Sequence, residues 1–384
     1  MARKSSIPDL VIAIDFGGSA TKFISSNTTQ WEITPLWMEP EVIEVDQQIL
    51  LTYEQNKLGQ AAEKNRAWVG YGDRYYAVGY LAQWRFAGTP GLTQLKYERA
   101  IPKTLAAVWV ASRQFQMGNK FSIAIAIVLP PGEYADATNF EKLITEALAD
   151  YQTPTGRLQV KLKLFNCKPE GGGIYMMFAK NQGKQLLGKV CAVIMLGYRN
   201  ASILVSNRGE VGKFRSSDLG FIQLLNGVLQ KTSGQTPERL TPAIFEAGEE
   251  IAMRSILPLT RSSDEQRRSE EVEILREAIR TARREYTLQL ISWMKEILPR
   301  DLNEVVICGG TADYLKPELK DYFCWTPIHW HGGIKIPDEL DINNLGNRFT
   351  DVYCLFVYFR KIILKSEDYS PPLPTEQTTA ATPT

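Results

Sequence analysis

Val11-Ile12-Ala13-Ile14-Asp15-Phe16-Gly17-Gly18-Ser19-Ala20-Thr21-Lys22-Phe23-Ile24 reads as a buried strand, a glycine turn and a second strand. Gly17 and Gly18 carry no Cβ and can take positive φ, so consecutive backbone N–H groups around them and Ser19 can point into a concavity that holds phosphate oxygens. Lys22 offers a point charge to the same anion. Asp15, at the C-terminal end of the strand, is poorly suited to touch a phosphate but can orient the water shell of a Mg2+ ion that bridges phosphates. An acid before the glycines and a base after them suit a metal-nucleotide. An ordinary hairpin with Gly-Gly at its turn also accounts for this stretch taken alone. The phosphate reading therefore needs support from elsewhere in the chain.

That support comes from a second copy. Val193-Ile194-Met195-Leu196-Gly197-Tyr198-Arg199-Asn200-Ala201-Ser202-Ile203-Leu204-Val205 repeats the strand, glycine turn and strand, with Gly197 falling on Gly17. Internal self-similarity of this kind implies duplicated halves, each presenting one loop to a shared ligand across a cleft. The copies are not equivalent. Met195 stands where Asp15 stands and Ser202 where Lys22 stands, so the second loop has no carboxylate.

A third glycine turn, Val305-Val306-Ile307-Cys308-Gly309-Gly310-Thr311-Ala312, follows a long charged helical stretch and again ends a short apolar strand. Three such turns in this order resemble the actin-like ATPase superfamily. In that likeness Asp15 to Lys22 is the first phosphate loop, Gly197 to Asn200 the second, and Gly309 to Thr311 the adenosine loop. Local phrases bring the chain nearest to the ParM/StbA plasmid-segregation actins: Lys96-Tyr97-Glu98-Arg99 with Leu105-Ala106-Ala107, Leu129-Pro130-Pro131-Gly132-Glu133-Tyr134, Gly197-Tyr198-Arg199, and Asn347-Arg348-Phe349-Thr350-Asp351-Val352-Tyr353. The likeness covers roughly residues 9 to 365.

Length and composition fit that reading. A chain of 384 residues, 44% hydrophobic, is long enough for two domains with large cores. Its net charge of +1 argues against nonspecific nucleic-acid binding as a main activity. Five scattered cysteines with no C-x-x-C pair read as reduced thiols acting as small buried hydrophobes. Met1 to Ser6 is basic without a leader-like apolar core, and no run of about 18 apolar residues occurs, so a soluble, cytoplasmic protein is expected.

Along the chain, Trp31 to Met38 is expected to be a third strand, Glu54 to Asn65 a surface helix, and Arg66 to Gly79 a hairpin. The aromatic residues Trp68 to Phe86 are read as packing rather than a base-stacking platform. Tyr97 to Gln116 is a helix with one buried stripe, and Lys96, Arg99 and Lys103 near its start are taken as solvated charges. Phe121 to Leu129 is a strand buried on both faces. Leu158 to Leu164 alternates as a strand, with Gly173 to Ala179 as its expected partner strand. A long helix in the Ser262 to Ile291 region starts from a Ser263/Gln266 capping box and buries Ile274, Leu275, Ala278, Ala282, Leu288 and Ile291. His329 and His331 are two histidines without a third ligand, a weak basis for zinc.

The resemblance implies an α/β, actin-like (ribonuclease H-like duplicated) two-domain fold with a nucleotide cleft between domains. Domain I would span 1–181, domain II 182–345, a helix returning to domain I 346–368, and a disordered Pro/Thr-rich tail 369–384. It implies ATP and Mg2+ as cofactors, with Asp15 holding the metal's water shell. It also implies an acid after the buried strand, here Glu133, orienting the attacking water. Residue chemistry alone allows Glu133 instead to favour a helix dipole. Polar residues of the second-domain helical region would line the adenine pocket. Self-association into filaments and a DNA-bound adaptor protein are the partners implied, with no direct sequence-specific nucleic-acid binding and no membrane. Relatives usually carry aspartates where Met195 and Ser202 stand, so slow ATP hydrolysis is expected, with Arg199 adding charge near the phosphates. The competing expectations are a nucleotide-sensing scaffold that never hydrolyses, and a small-molecule kinase of the same superfamily.

Overall fold

A computed structural model of the chain describes residues 7–341 and 344–365. The basic start and the 369–384 tail lie outside the described residues. The chain forms two sheets. The first contains β1 (Leu10–Phe16), β2 (Thr21–Asn27), β3 (Ile33–Met38), β4 (Val42–Glu44), β5 (Trp68–Tyr71), β6 (Arg74–Val78), β7 (Lys120–Leu129), β8 (Tyr151–Thr153) and β9 (Gly156–Pro169), in the order β3-β2-β1-β7-β9-β8-β5-β6-β4. The second contains β10 (Val190–Leu196), β11 (Ala201–Asn207), β12 (Glu210–Ser217), β13 (Glu304–Cys308) and β14 (Ile328–Trp330), in the order β12-β11-β10-β13-β14. The helices are α1 (Gln47–Asn56), α2 (Tyr80–Phe86), α3 (Lys96–Gln114), α4 (Ala137–Ala149), α5 (Gly172–Gln182) and α6 (Phe221–Lys231), then α7 (Pro237–Ala247), α8 (Met253–Ile256), α9 (Glu265–Ile297), α10 (Gly310–Tyr314), α11 (Lys316–Tyr322) and α12 (Thr350–Lys365). No helix among the described residues is long and apolar enough to cross a membrane.

The duplication read from the glycine turns is a duplication of structure. β1 pairs antiparallel with β2 and parallel with β7, and β10 pairs antiparallel with β11 and parallel with β13. The hairpin registers coincide: Asp15 faces Lys22 in the first and Met195 faces Ser202 in the second. Side chains alternate across a strand, so the unbroken apolar run of β1 must be covered twice. Ile12, Ile14 and Phe16 pack with Leu105 and Trp109 of α3, while Val11 and Ala13 pack with Val352, Phe356 and Phe359 of α12. In the second half, Ala192, Ile194 and Leu196 face the α6 and α9 side, and Cys191 and Val193 face Ile174 and Phe178 of α5. Helices α5 and α12 thus play the same part in the two halves, and they pack against each other.

Several local expectations are corrected. Gly173 to Ala179 is helical: Gly171 at φ +79° ends the strand register, and Ile174, Tyr175 and Phe178 form a buried helical stripe. β9 takes β8 as its antiparallel partner instead. The helix expected at Glu54 to Asn65 lies at α1, where the Asp46 side chain accepts from the Gln48 N–H at 2.8 Å, and only Glu63–Asn65 forms a 3-10 turn. The cap of α9 is Asp264, accepting from the Arg267 N–H, not Ser263. On α9, Ile274 and Leu288 are exposed, and the buried face runs through Val272, Leu275, Ile279, Tyr286 and Leu290. Tyr80 and Trp84 stack on each other at the surface of α2, unlike the packed Trp68. Cys191, Cys308 and Cys354 are buried, but Cys324 is exposed. His331 Nε2 lies 2.9 Å from Asp313 Oδ1, and His329 Nε2 lies 3.6 Å from Glu304.

The largest correction concerns the start of α3. Lys96 and Lys103 are buried, and Arg99 donates to the carbonyls of Val42 and Thr89. Burial pushes the Lys103 ammonium down, Arg99 and Lys96 push the same way, and its pKa falls to about 7. A lysine whose folded pKa lies below its unfolded one destabilises the fold fully below the folded pKa. The penalty fades as pH rises toward the ordinary value of 10.5. Lys103→Met is therefore expected to stabilise the protein by on the order of 2 kcal/mol at pH 6. Thermal melts should show this gain shrinking steadily toward pH 10; a gain independent of pH would contradict the assignment.

Candidate functional site

The three glycine turns converge. Asp15, Gly17, Gly18, Ser19 and Lys22 of the first turn line one cleft of ≈ 760 Å³. Gly197, Tyr198, Arg199 and Asn200 of the second turn and Gly309, Gly310 and Thr311 of the third line it as well. Glycine is required here mainly by close approach. A Cβ on Gly17 would stand 2.6 Å from the Ala20 carbonyl oxygen, and one on Gly18 would stand 3.1 Å from Arg199 Cβ in the opposed turn. Of the glycines in the three turns, only Gly309 has positive φ, at +96°, where a Cβ would also fall 2.2 Å from the Leu196 oxygen. The positive φ expected of Gly17 and Gly18 is therefore not how the first turn is built.

The second and third turns are locked together. Thr311 Oγ1 donates to the Gly197 carbonyl at 2.9 Å. The first N–H groups of α6 donate to the same turn, Phe221 to Gly197 and Ile222 to Tyr198. A helix N-terminus, which needs acceptors, is thereby docked under the loop.

The polar floor of the cleft is a chain of opposite charges. Lys22 Nζ lies 2.6 Å from Asp15 and donates to the Arg348 carbonyl at 2.8 Å. Lys96 Nζ lies between two acids, 3.6 Å from Asp15 Oδ1 and 2.5 Å from Glu170 Oε1. The other Glu170 oxygen accepts from Asn200 Nδ2 at 3.2 Å and Ser202 Oγ at 3.3 Å, both in the opposed hairpin. Arg348 donates to Ser19 Oγ at 3.0 Å. Burial pushes the Asp15 carboxyl up, but Lys22 and then Lys96 outweigh it, so the net shift is down and the acid stays ionised. Burial pushes the Lys96 ammonium down, and Glu170 and Asp15 more than restore it. Asp351 is also buried and lines the cleft; burial raises its pKa to about 7.

Glu133 sits differently. It is 6% exposed and is not among the cleft-lining residues. One of its oxygens accepts from the Tyr97 N–H at the start of α3 at 3.1 Å, and the other lies 3.3 Å from Arg199 Nη2. It therefore serves the N-terminus of α3 and ties the first half to the second turn, with Gly132 N–H donating to Ser216 Oγ beside it. Of the acids that follow β7 and β9, the one that lines the cleft is Glu170, directly after β9, which the sequence does not single out; nor does it single out Lys96, Arg348 or Asp351 as site residues.

Part of the lining is apolar. Tyr198, Phe221 and Phe245 line the cleft, with Phe221 and Phe245 both packed on the Tyr314 ring. Glu238, Thr241 and Glu246 of α7 add polar groups, so α7 rather than α9 forms this wall. Residues of this kind fit a nucleotide: cations and close-approach glycines together with aromatic side chains and a few acceptors. The buried acids Asp15 and Glu170 fit the water shell of a divalent cation.

No protein-family model matches the chain, and no curated protein matches it. Solved structures do. A 15-stranded ParM filament from Clostridium botulinum is 14% identical, with a TM-score of 0.61, covering 92% of this chain and 100% of that one. An archaeal actin homolog in complex with ADP is 14% identical, with a TM-score of 0.57, covering 91% and 99%. The AlfA filament from a B. subtilis plasmid is 11% identical, with a TM-score of 0.54, covering 91% and 98%. At these identities the likeness speaks for the fold: the chain has the mixed α/β, two-domain actin-like fold over nearly its whole described length.

Proposed function

We propose that this chain is an ATP-binding, filament-forming actin-like protein of the ParM type, which segregates plasmid DNA through a DNA-bound adaptor in the cytoplasm. The observation that carries the reading is the cleft itself: two hairpins of identical register oppose their glycine turns around one cavity lined by Lys22, Lys96, Arg199 and Arg348. Cations and backbone donors set in a low-dielectric cavity suit a polyphosphate. The solved structures it resembles include filaments, which supports self-association. The domain division expected at residues 181 and 345 is part of this proposal.

Phosphoryl transfer to water asks the protein mainly for positioning and charge neutralisation. Lys22 and the first-turn backbone hold phosphate oxygens, and the wall formed by Tyr198, Phe221 and Phe245 holds the base. Mg2+, when bound, neutralises phosphate charge, and Asp15 is the residue assigned to orient its water shell. Glu170, rather than Glu133, is assigned to accept the hydrogen bond of the attacking water, because its carboxylate lines the cleft between the opposed turns. Glu133 positions Arg199. Met195 and Ser202 in the second turn favour slow hydrolysis, and at the limit a nucleotide-sensing scaffold.

Electron microscopy and pelleting of the full chain with Mg2+–ATP should give filaments that are absent without nucleotide. A monomer at every concentration and nucleotide state would end the filament reading. Glu170→Gln should lower phosphate release by about 100-fold with ATP affinity retained, whereas Glu133→Gln should lower it by less than about 10-fold. The reverse ranking would return the catalytic role to Glu133, and tight ATP binding without phosphate release in the unsubstituted protein would select the scaffold.

A further inference from the structure

Duplication gives each cleft position of the first hairpin a counterpart in the second, and the one acid of the first hairpin's cleft face has no acidic counterpart. Asp15 faces Lys22 across the first hairpin, and the same register places Met195 opposite Ser202 in the second. Met195 lines the cleft, so an apolar thioether stands where symmetry calls for an acid. Around it lie Cys308, whose Sγ is 3.8 Å from Met195 Sδ, and Gly171, where a Cβ would stand 3.8 Å from Met195 Cβ.

Gly171 is also where an acid from elsewhere enters. Its N–H donates to Asp351 Oδ2 at 2.9 Å, and the Ile174 N–H donates to Oδ1 at 3.4 Å. Asp351 is the second residue of α12, is 4% exposed and lines the same cleft. Burial, and after it the Asp351 charge, push the Cys308 thiol beside Met195 up. A carboxylate offers about four lone-pair sites, and two are taken by these backbone donors. Among the described residues no other hydrogen bond to this carboxylate is seen, and Asp351 lines the cleft. Asp351 joins Asp15 and Glu170 among the acids that line this cleft.

We propose that Asp351 is the acid the second turn lacks: α12 delivers a carboxylate to the Met195 corner of the cleft, where it helps orient the water shell of a divalent cation bound with the nucleotide. The inference rests on the nucleotide-binding reading above and adds a residue to it. A purely structural role, capping the start of α5, predicts something different, because a cap serves the fold whether or not a metal is present.

The test is the affinity of the full chain for a fluorescent ATP analogue, measured in Mg2+ and in EDTA. Unsubstituted protein should bind at least about 10-fold more tightly in Mg2+. Asp351→Asn, which keeps an acceptor for Gly171 but removes the charge, should lower that enhancement to within about 3-fold while leaving the EDTA affinity unchanged or tighter. Adding Met195→Asp to Asp351→Asn should restore it. Met195→Asp alone, which leaves the α5 contacts intact, should weaken binding in EDTA by about 10-fold and deepen the Mg2+ dependence. Full Mg2+ enhancement in Asp351→Asn, an equal loss of affinity in both buffers, or an unchanged Mg2+ dependence in Met195→Asp would each overturn the inference alone. Unsubstituted protein that binds no ATP in either buffer would overturn the nucleotide reading and this inference with it.

Discussion

Lys96 sets an ammonium between two buried carboxylates, Asp15 at the end of β1 and Glu170 at the end of β9. Three charges of that kind are tolerable out of water only as a group, since removing one partner leaves an uncompensated buried charge. The arrangement fixes more than the three side chains. Glu170 passes the constraint to Asn200 and Ser202 in the second hairpin, and Asp15 passes it to Lys22 and so to the Arg348 carbonyl. Both hairpins and the approach to α12 are thus held by one electrostatic network, whose centre faces the cleft.

The same logic explains why the two halves differ after a shared start. Their hairpins keep one register, because an apolar strand covered on both faces allows no slip. Their turns are free to diverge in charge, and they do so at Asp15 against Met195 and Lys22 against Ser202. The first half brings Asp15, Lys22, Lys96 and Glu170 to the cleft, while the second half brings Arg199, the docked start of α6, the aromatic lining and the acids of α7.

What could be read from the sequence follows from these distinctions. The glycine turns and flanking strands were legible because their signals are local: a run of apolar residues, two glycines and a repeat of both. The burial of Lys96 was not, because nothing near it in sequence distinguishes a solvated lysine from one whose partner, Glu170, lies 74 residues away. Glu133 and Glu170 each follow a long strand, β7 and β9, and these strands run side by side in parallel. Which acid faces the cleft depends on the turn taken after each strand, and Glu133 turns back onto α3. The stretch Gly173 to Ala179 is short and apolar enough to serve as strand or helix, and only its place against α12 decides it.

Helices α5 and α12 carry a last consequence. They lie against each other, α5 leading into the second sheet and α12 covering the first, so both passages of the chain between its halves run beside one helix pair. Elsewhere the halves meet through polar contacts such as Arg199 to Glu133 and Ser216 to the Gly132 N–H. Two lobes joined by a packed helix pair and by separate polar ties can turn about the helix pair when those ties exchange partners. A swivel that changes the angle between the lobes can therefore leave each core undisturbed while reshaping the outer surface that any neighbour in an assembly would meet.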